Sequence, residues 1–223
     1  MKKQRLSVAM AVLAAGLLLA GCSSKVTQTS QYSGFLSDYS KLQETTSPSG
    51  HKTLRWVDPS YKESNYRGIY FQPVVYFPAE KPTARVSQDT LNKIKAYATQ
   101  RIKTALQNRF TILPSPTGSR VLVAKLAITA VSAENEDTKF YEVVPVAAVV
   151  ASTMAATGHR TQNTALYIEG ELIDQDTGKT VMEVVRKAYG KTVNNDSTPV
   201  TADDVKAAID DIVTDITQFP KQG

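Results

Sequence analysis

The sequence predicts an α+β fold: a mixed, mostly antiparallel sheet with helices packed chiefly on one face. Three observations carry this. Two stretches, Leu91 to Phe110 and Val205 to Phe219, repeat apolar residues at helical spacing. Other segments are β-branched, aromatic or alternating, as strands are. Two of those flank Gln175-Asp176-Thr177-Gly178, a hairpin turn signal.

The elements follow in chain order. Lys2, Lys3 and Arg5 precede an apolar run from Leu6 to Ala20, which ends in Leu19-Ala20-Gly21-Cys22. A basic head, an apolar run and small residues before a cysteine form a lipoprotein signal with a lipobox. The expected layout is a signal peptide over 1–21 that is removed, a lipidated tether over 22–33, and one α+β periplasmic domain over 34–223. The thiol of Cys22 is the expected site of diacylglycerol attachment. Two or more acyl chains, palmitate among them, would hold the chain stably in a membrane. Ser23 and Ser24 follow the cysteine where an Asp would signal inner-membrane retention. The expected address is therefore the inner leaflet of the outer membrane, facing the periplasm.

Phe35, Leu36, Tyr39 and Leu42 share a helical stripe and predict a short turn or helix pinned on the core. Ser47-Pro48-Ser49-Gly50 is a loop. Leu54 to Val57 is extended and stops before Pro59. Tyr66 to Phe77 reads as one strand, with Pro73 at a bulge or an edge. Ser87 caps the first helix, and Thr111 to Leu113 is a short strand. Arg120 to Val131 is a long strand. Val143 to Ala156 is an uncharged run of 14 residues, too short for a bilayer core of about 30 Å. The hairpin arms are Ala165 to Asp174 and Lys179 to Val193, with Leu166, Ile168 and Leu172 inward and Tyr167, Glu169 and Glu171 outward. Thr201 caps the last helix, whose solvent face carries Asp210, Asp211 and Asp215. The first helix is basic where the last is acidic, so the two could lie side by side.

Composition narrows the function classes. The net charge is +5, and loss of Lys2, Lys3 and Arg5 leaves +2, too mild to argue for nucleic acid. Removing 21 of 223 residues leaves 202, with 42% of the whole chain hydrophobic, enough for one core. The single cysteine is taken by lipidation, which leaves no disulfide and no thiol nucleophile. His51 and His159 are far apart and predict no metal site. Asp174 to Gly178 superficially resembles a calcium loop, but the later bidentate Glu is missing at the required spacing. There is no Gly-x-Ser-x-Gly, no phosphate-binding glycine loop and no dinucleotide fingerprint. No cofactor is expected.

Two features remain as candidate surfaces. Arg55, Trp56, Tyr61, Tyr66 and Arg67 bring aromatics beside guanidinium groups, a combination that holds sugar rings or an extended partner segment. The same residues more simply serve as core and staple. In the apolar run, Ala148, Ser152 and Ala156 recur every four residues and would let another helix approach closely. A buried helix, an interaction helix and a membrane-dipping segment all fit that run.

The residues also resemble a family. Gly34-Phe35-Leu36 with Tyr39 and Leu42, Leu54 to Pro59, the apolar run ending at Thr157-Gly158, and Asp174 with Thr177-Gly178 are similar to the bacterial lipoproteins grouped as domain of unknown function 3313. The likeness spans about residues 34 to 219. It implies a periplasm-facing lipoprotein and supplies no catalytic or binding residues. The expected function is a non-enzymatic binding or accessory module of the cell envelope. The partners would be a membrane through Cys22 and an envelope protein or cell-wall glycan. A peptidoglycan binder using Trp56 and a self-assembling structural lipoprotein are the alternatives.

Overall fold

The computed structural model describes residues 27, 29–134, 161–194 and 197–221. Cys22 and the run holding Ala148, Ser152 and Ala156 lie outside the described residues. The strands are β1 (Gln43–Thr46), β2 (Lys52–Val57), β3 (Gly68–Phe71), β4 (Val75–Tyr76), β5 (Val121–Glu134), β6 (Gln162–Asp174) and β7 (Thr180–Val193). The helices are α1 (Gln88–Gln107) and α2 (Ala202–Gln218). Among the described residues the strands form one sheet in the order β1-β2-β7-β6-β5-β3, with β4 also on β5. Four pairings are antiparallel, and β3 and β4 run parallel to β5. The fold is the mixed, mostly antiparallel α+β sheet that the sequence predicts.

Parallel neighbours need a long crossover. α1 supplies it between β4 and β5. Its N-terminus is capped as expected, with the Ser87 hydroxyl accepting from the Thr90 N–H. The α2 N-terminus is closed by Asp204, whose carboxylate accepts from the Thr201 N–H at 2.8 Å. Both helices lie on the same face of the sheet, the front. Ile94, Ala98 and Ile102 of α1 and Val205, Ile209 and Ile212 of α2 pack there on Leu122, Ile128, Leu166 and Ile168. The expected charge match exists: the Arg101 Nη2 lies 2.9 Å from Asp210 Oδ1. α2 crosses β7 so closely that a Cβ on Gly190 would stand 2.0 Å from the Asp204 carbonyl oxygen.

Several elements differ from the sequence reading. Tyr66 to Phe77 is two strands, because Pro73 has no N–H for the ladder. Phe71 pairs with Ala124 and Val75 with Ala127, so one extra residue bulges out between them. Residues 35–42 take the turn form of the expected turn or helix, and Leu36, 3% exposed, pins the segment on the core as expected. β1 stands where no strand is predicted.

The outward residues of β6 do face away from the helices, but solvent does not reach the first two. Tyr167 and Glu169 are buried, with Glu169 0% exposed. Residues 33–42 cross this back face as a strap. Phe35 meets Phe77 edge-on at 5.6 Å. Tyr32 stacks on Tyr39 at 4.4 Å, so contact with the domain begins before residue 34. Tyr39 holds the strap: its hydroxyl donates to Glu169 Oε2 at 2.5 Å and accepts from the Gly34 and Leu36 N–H groups. Burial, and then the bond to Glu169, push its pKa up to about 12. The Ser33 N–H donates to the other Glu169 oxygen at 2.9 Å. No helix among the described residues is long and apolar enough to cross a membrane.

Candidate functional site

A cavity of about 140 Å³ opens on the front face, between the sheet and the C-terminal ends of the two helices. Its floor follows from strand register. Gly170 sits between Leu126 on β5 and Val184 on β7. Strand neighbours in register share a face, so one side chain is missing from the middle of the floor. Leu172 and Met182 continue the floor, Ile102 and Leu106 of α1 and Ile212 and Ile216 of α2 form the walls, and Phe219 stands at the end of α2.

Three guanidinium groups border the cavity. Arg109 is 6% exposed and Glu63, its ion-pair partner, 13%. Arg109 Nη1 donates to the Ile216 and Phe219 carbonyls at 2.8 and 2.7 Å. It thereby places positive charge at the negative end of α2. Its Nε is buried with no hydrogen-bond partner. Arg186 points inward from β7 and reaches Asp215 Oδ2 at 3.1 Å and Asp211 Oδ2 at 3.6 Å. The Arg55 guanidinium lies 4.6 Å from the Phe219 ring centre, and Arg109 lies 5.5 Å from the same ring. Burial lowers the Arg55 pKa, and the charge of Asp215 opposes that shift.

The predicted aromatic surface is divided by the fold. Adjacent residues of a strand point to opposite faces. Arg55 is therefore on the front and Trp56 on the back, where the Lys41 Nζ lies 4.4 Å from the indole centre. Tyr61 is buried in the cavity wall. Tyr66 donates to Asp174 Oδ2 at 3.0 Å. Arg67 is bonded to the Thr117 and Ser119 carbonyls at 2.6 and 2.9 Å. Tyr66 and Arg67 border a second, polar depression beyond Arg109. The five residues thus do not make one platform. The Asp174 turn serves its own backbone, with Oδ1 accepting from the Asp176 and Thr177 N–H groups. His51 is paired with Asp211 at 2.9 Å. Among the described residues no three His, Cys, Asp or Glu side chains gather as a metal site would require.

Arg109, Arg186, Glu63 and Phe219 were not among the predicted site residues. Arg186 carries a readable signal, an arginine on the same strand face as Met182, Val184 and Ala188. Arg109 carries a weaker one, as the basic residue that closes α1.

An α+β fold in a chain whose sequence carries a lipobox fits a membrane-anchored lipoprotein. The chain belongs to the family described as Protein of unknown function (DUF3313), whose model matches residues 31–216. It is 49% identical over 210 residues to the uncharacterized lipoprotein YdcL of Escherichia coli strain K12, covering 94% of both chains. The same figures hold for YdcL of Escherichia coli O157:H7. Among solved structures, the PelC dodecamer from Paraburkholderia phytofirmans is similar at a TM-score of 0.37 and 12% identity, over 77% of this chain and 98% of that one.

Proposed function

We propose that this lipoprotein is a non-enzymatic binding module of the cell envelope, and that its binding site is the cavity between the sheet and the helix C-termini. The supporting observation is the cavity itself. A space of about 140 Å³ with an apolar lining is close to the size that accepts a benzene-sized group. The three carboxylates at its border are all in ion pairs: Glu63 with Arg109, Asp215 with Arg186, and Glu171 with Lys125. They stabilise the frame around the cavity and are not poised for proton transfer. Ser23 and Ser24 after the lipidated Cys22 favour the outer membrane, with the domain facing the periplasm. A tether that reaches the domain by Tyr32 would keep the cavity close to that membrane.

Methyl NMR of the lipidated chain in nanodiscs, titrated with toluene, tests this. The Ile168, Ile212 and Leu106 methyl signals should shift, while Val123 and Val185 on the opposite face should not. Val184→Phe, which fills the cavity, should erase the shifts. Toluene shifts that are absent, or that persist in Val184→Phe, would reject the site.

A further inference from the structure

The guanidinium groups bordering the cavity are unevenly partnered. Three guanidinium groups stand there, Arg55, Arg109 and Arg186. Glu63 is taken by Arg109, and Arg186 takes both Asp215 at 3.1 Å and Asp211 at 3.6 Å. Glu171 also borders the cavity, but its carboxylate leaves by the opposite face of the sheet and meets Lys125 at 3.4 Å. Arg55 is left over. Among the described residues its guanidinium has no hydrogen bond and no ion pair, only the Phe219 ring at 4.6 Å and the field of Asp215. A second donor is open as well, the buried Nε of Arg109. A half-buried cation without an acceptor and a buried N–H without a partner are both costly states that a ligand oxygen would relieve.

We propose that the cavity binds an anionic amphiphile, with its apolar end against Gly170 and Val184 and its carboxylate or phosphate head on Arg55. This rests on the reading of the cavity as the binding site. The volume suits the end of an alkyl chain, and the remainder would lie along the open mouth beside Phe219. Arginine fits such a head well, because its planar fork matches two oxygens at once. A neutral amphiphile of the same length would fill the same space and leave Arg55 unsatisfied. A cationic one would meet the unpartnered guanidinium.

Four ten-carbon probes that differ only in the head separate these cases: decanoate, decyl phosphate, decanol and decyltrimethylammonium. Each is titrated by calorimetry into the lipidated chain in phosphatidylcholine nanodiscs, with empty discs as reference. Decanoate or decyl phosphate should bind at least tenfold tighter than decanol, and decyltrimethylammonium should not bind. Whichever anion binds more tightly identifies the head as a carboxylate or a phosphate monoester. In Arg55→Gln the ratio of anion to decanol affinity should fall to about one, and Arg55→Lys should restore part of it. Equal affinity for decanol and both anions would overturn the proposal while leaving the cavity reading in place. Binding by none of the four would reject both.

Discussion

Glu183 shows how far one residue departs from what its place in the sequence suggests. It alternates with apolar neighbours on β7 and looks like a solvated position. It is instead 1% exposed, cross-strand from both Trp56 and Glu171, and its Oε2 has no hydrogen-bond partner. Burial raises its pKa, and the charge of Lys41 offsets only part of that. A carboxyl whose folded pKa is raised favours folding while it is protonated. That contribution is complete below the ordinary value near 4.5 and is lost as pH rises through the folded value. Glu183→Gln, neutral at every pH, should therefore be more stable than the wild type at pH 7.5, by about 1 kcal/mol. The difference should shrink toward zero at pH 4. Urea midpoints at the two pH values measure it, and a gap of equal size at both would show that the charge of Glu183 is not the cause. At this scale strand alternation was legible and its consequences were not. Arg55 and Trp56 are neighbours in sequence, and a period of two sends them to opposite faces. The burial of Glu169 was invisible for another reason, since it depends on Tyr39, 130 residues earlier.

Elements were legible where the local code was strong. Both helices begin at the residues that can cap them, and the 174–180 turn holds because Asp174 bonds its own loop and Gly178 takes a positive φ of 68°. β1 was not legible. Gln43-Glu44-Thr45-Thr46 has no apolar face, and it becomes a strand through pairing with β2. The end of α2 depends likewise on a partner from outside the element. Arg109, from beyond α1, bonds its last carbonyls and pairs with half-buried Glu63. Arg109→Met should cost about 2 kcal/mol, most of it from leaving the half-buried Glu63 carboxylate without its partner. The double variant Arg109→Met, Glu63→Leu should recover at least half of that loss. Denaturant unfolding of the two variants gives the comparison. A double variant no more stable than the single one would place the cost in the lost α2 carbonyl bonds and not in the orphaned charge.

For the whole molecule, the fold class followed from the two helical stripes and the hairpin, but the strand order did not. A local pattern says that a segment is a strand and leaves open which distant strand it joins. The placing of β2 beside β7, and of β3 and β4 parallel to β5, is set by contacts over long separations. The strap over 33–42 is of the same kind: it turns a sheet with one expected dry face into a sheet covered on both. This arrangement orders local stability across the molecule. β6 has a partner on each edge, helices over its front and the strap over its back, so the amides from Leu166 to Gly170 should exchange hydrogen only through global unfolding. β1 has β2 on one edge alone and largely exposed side chains, so its amides should open locally and exchange orders of magnitude faster. Native-state hydrogen exchange at rising denaturant tests the order. Convergence of the β6 amides on the global unfolding free energy, with the β1 amides insensitive to denaturant, is the expected result. If β6 exchanged as readily as β1, the strap and the helices could not be holding both faces of the sheet in solution.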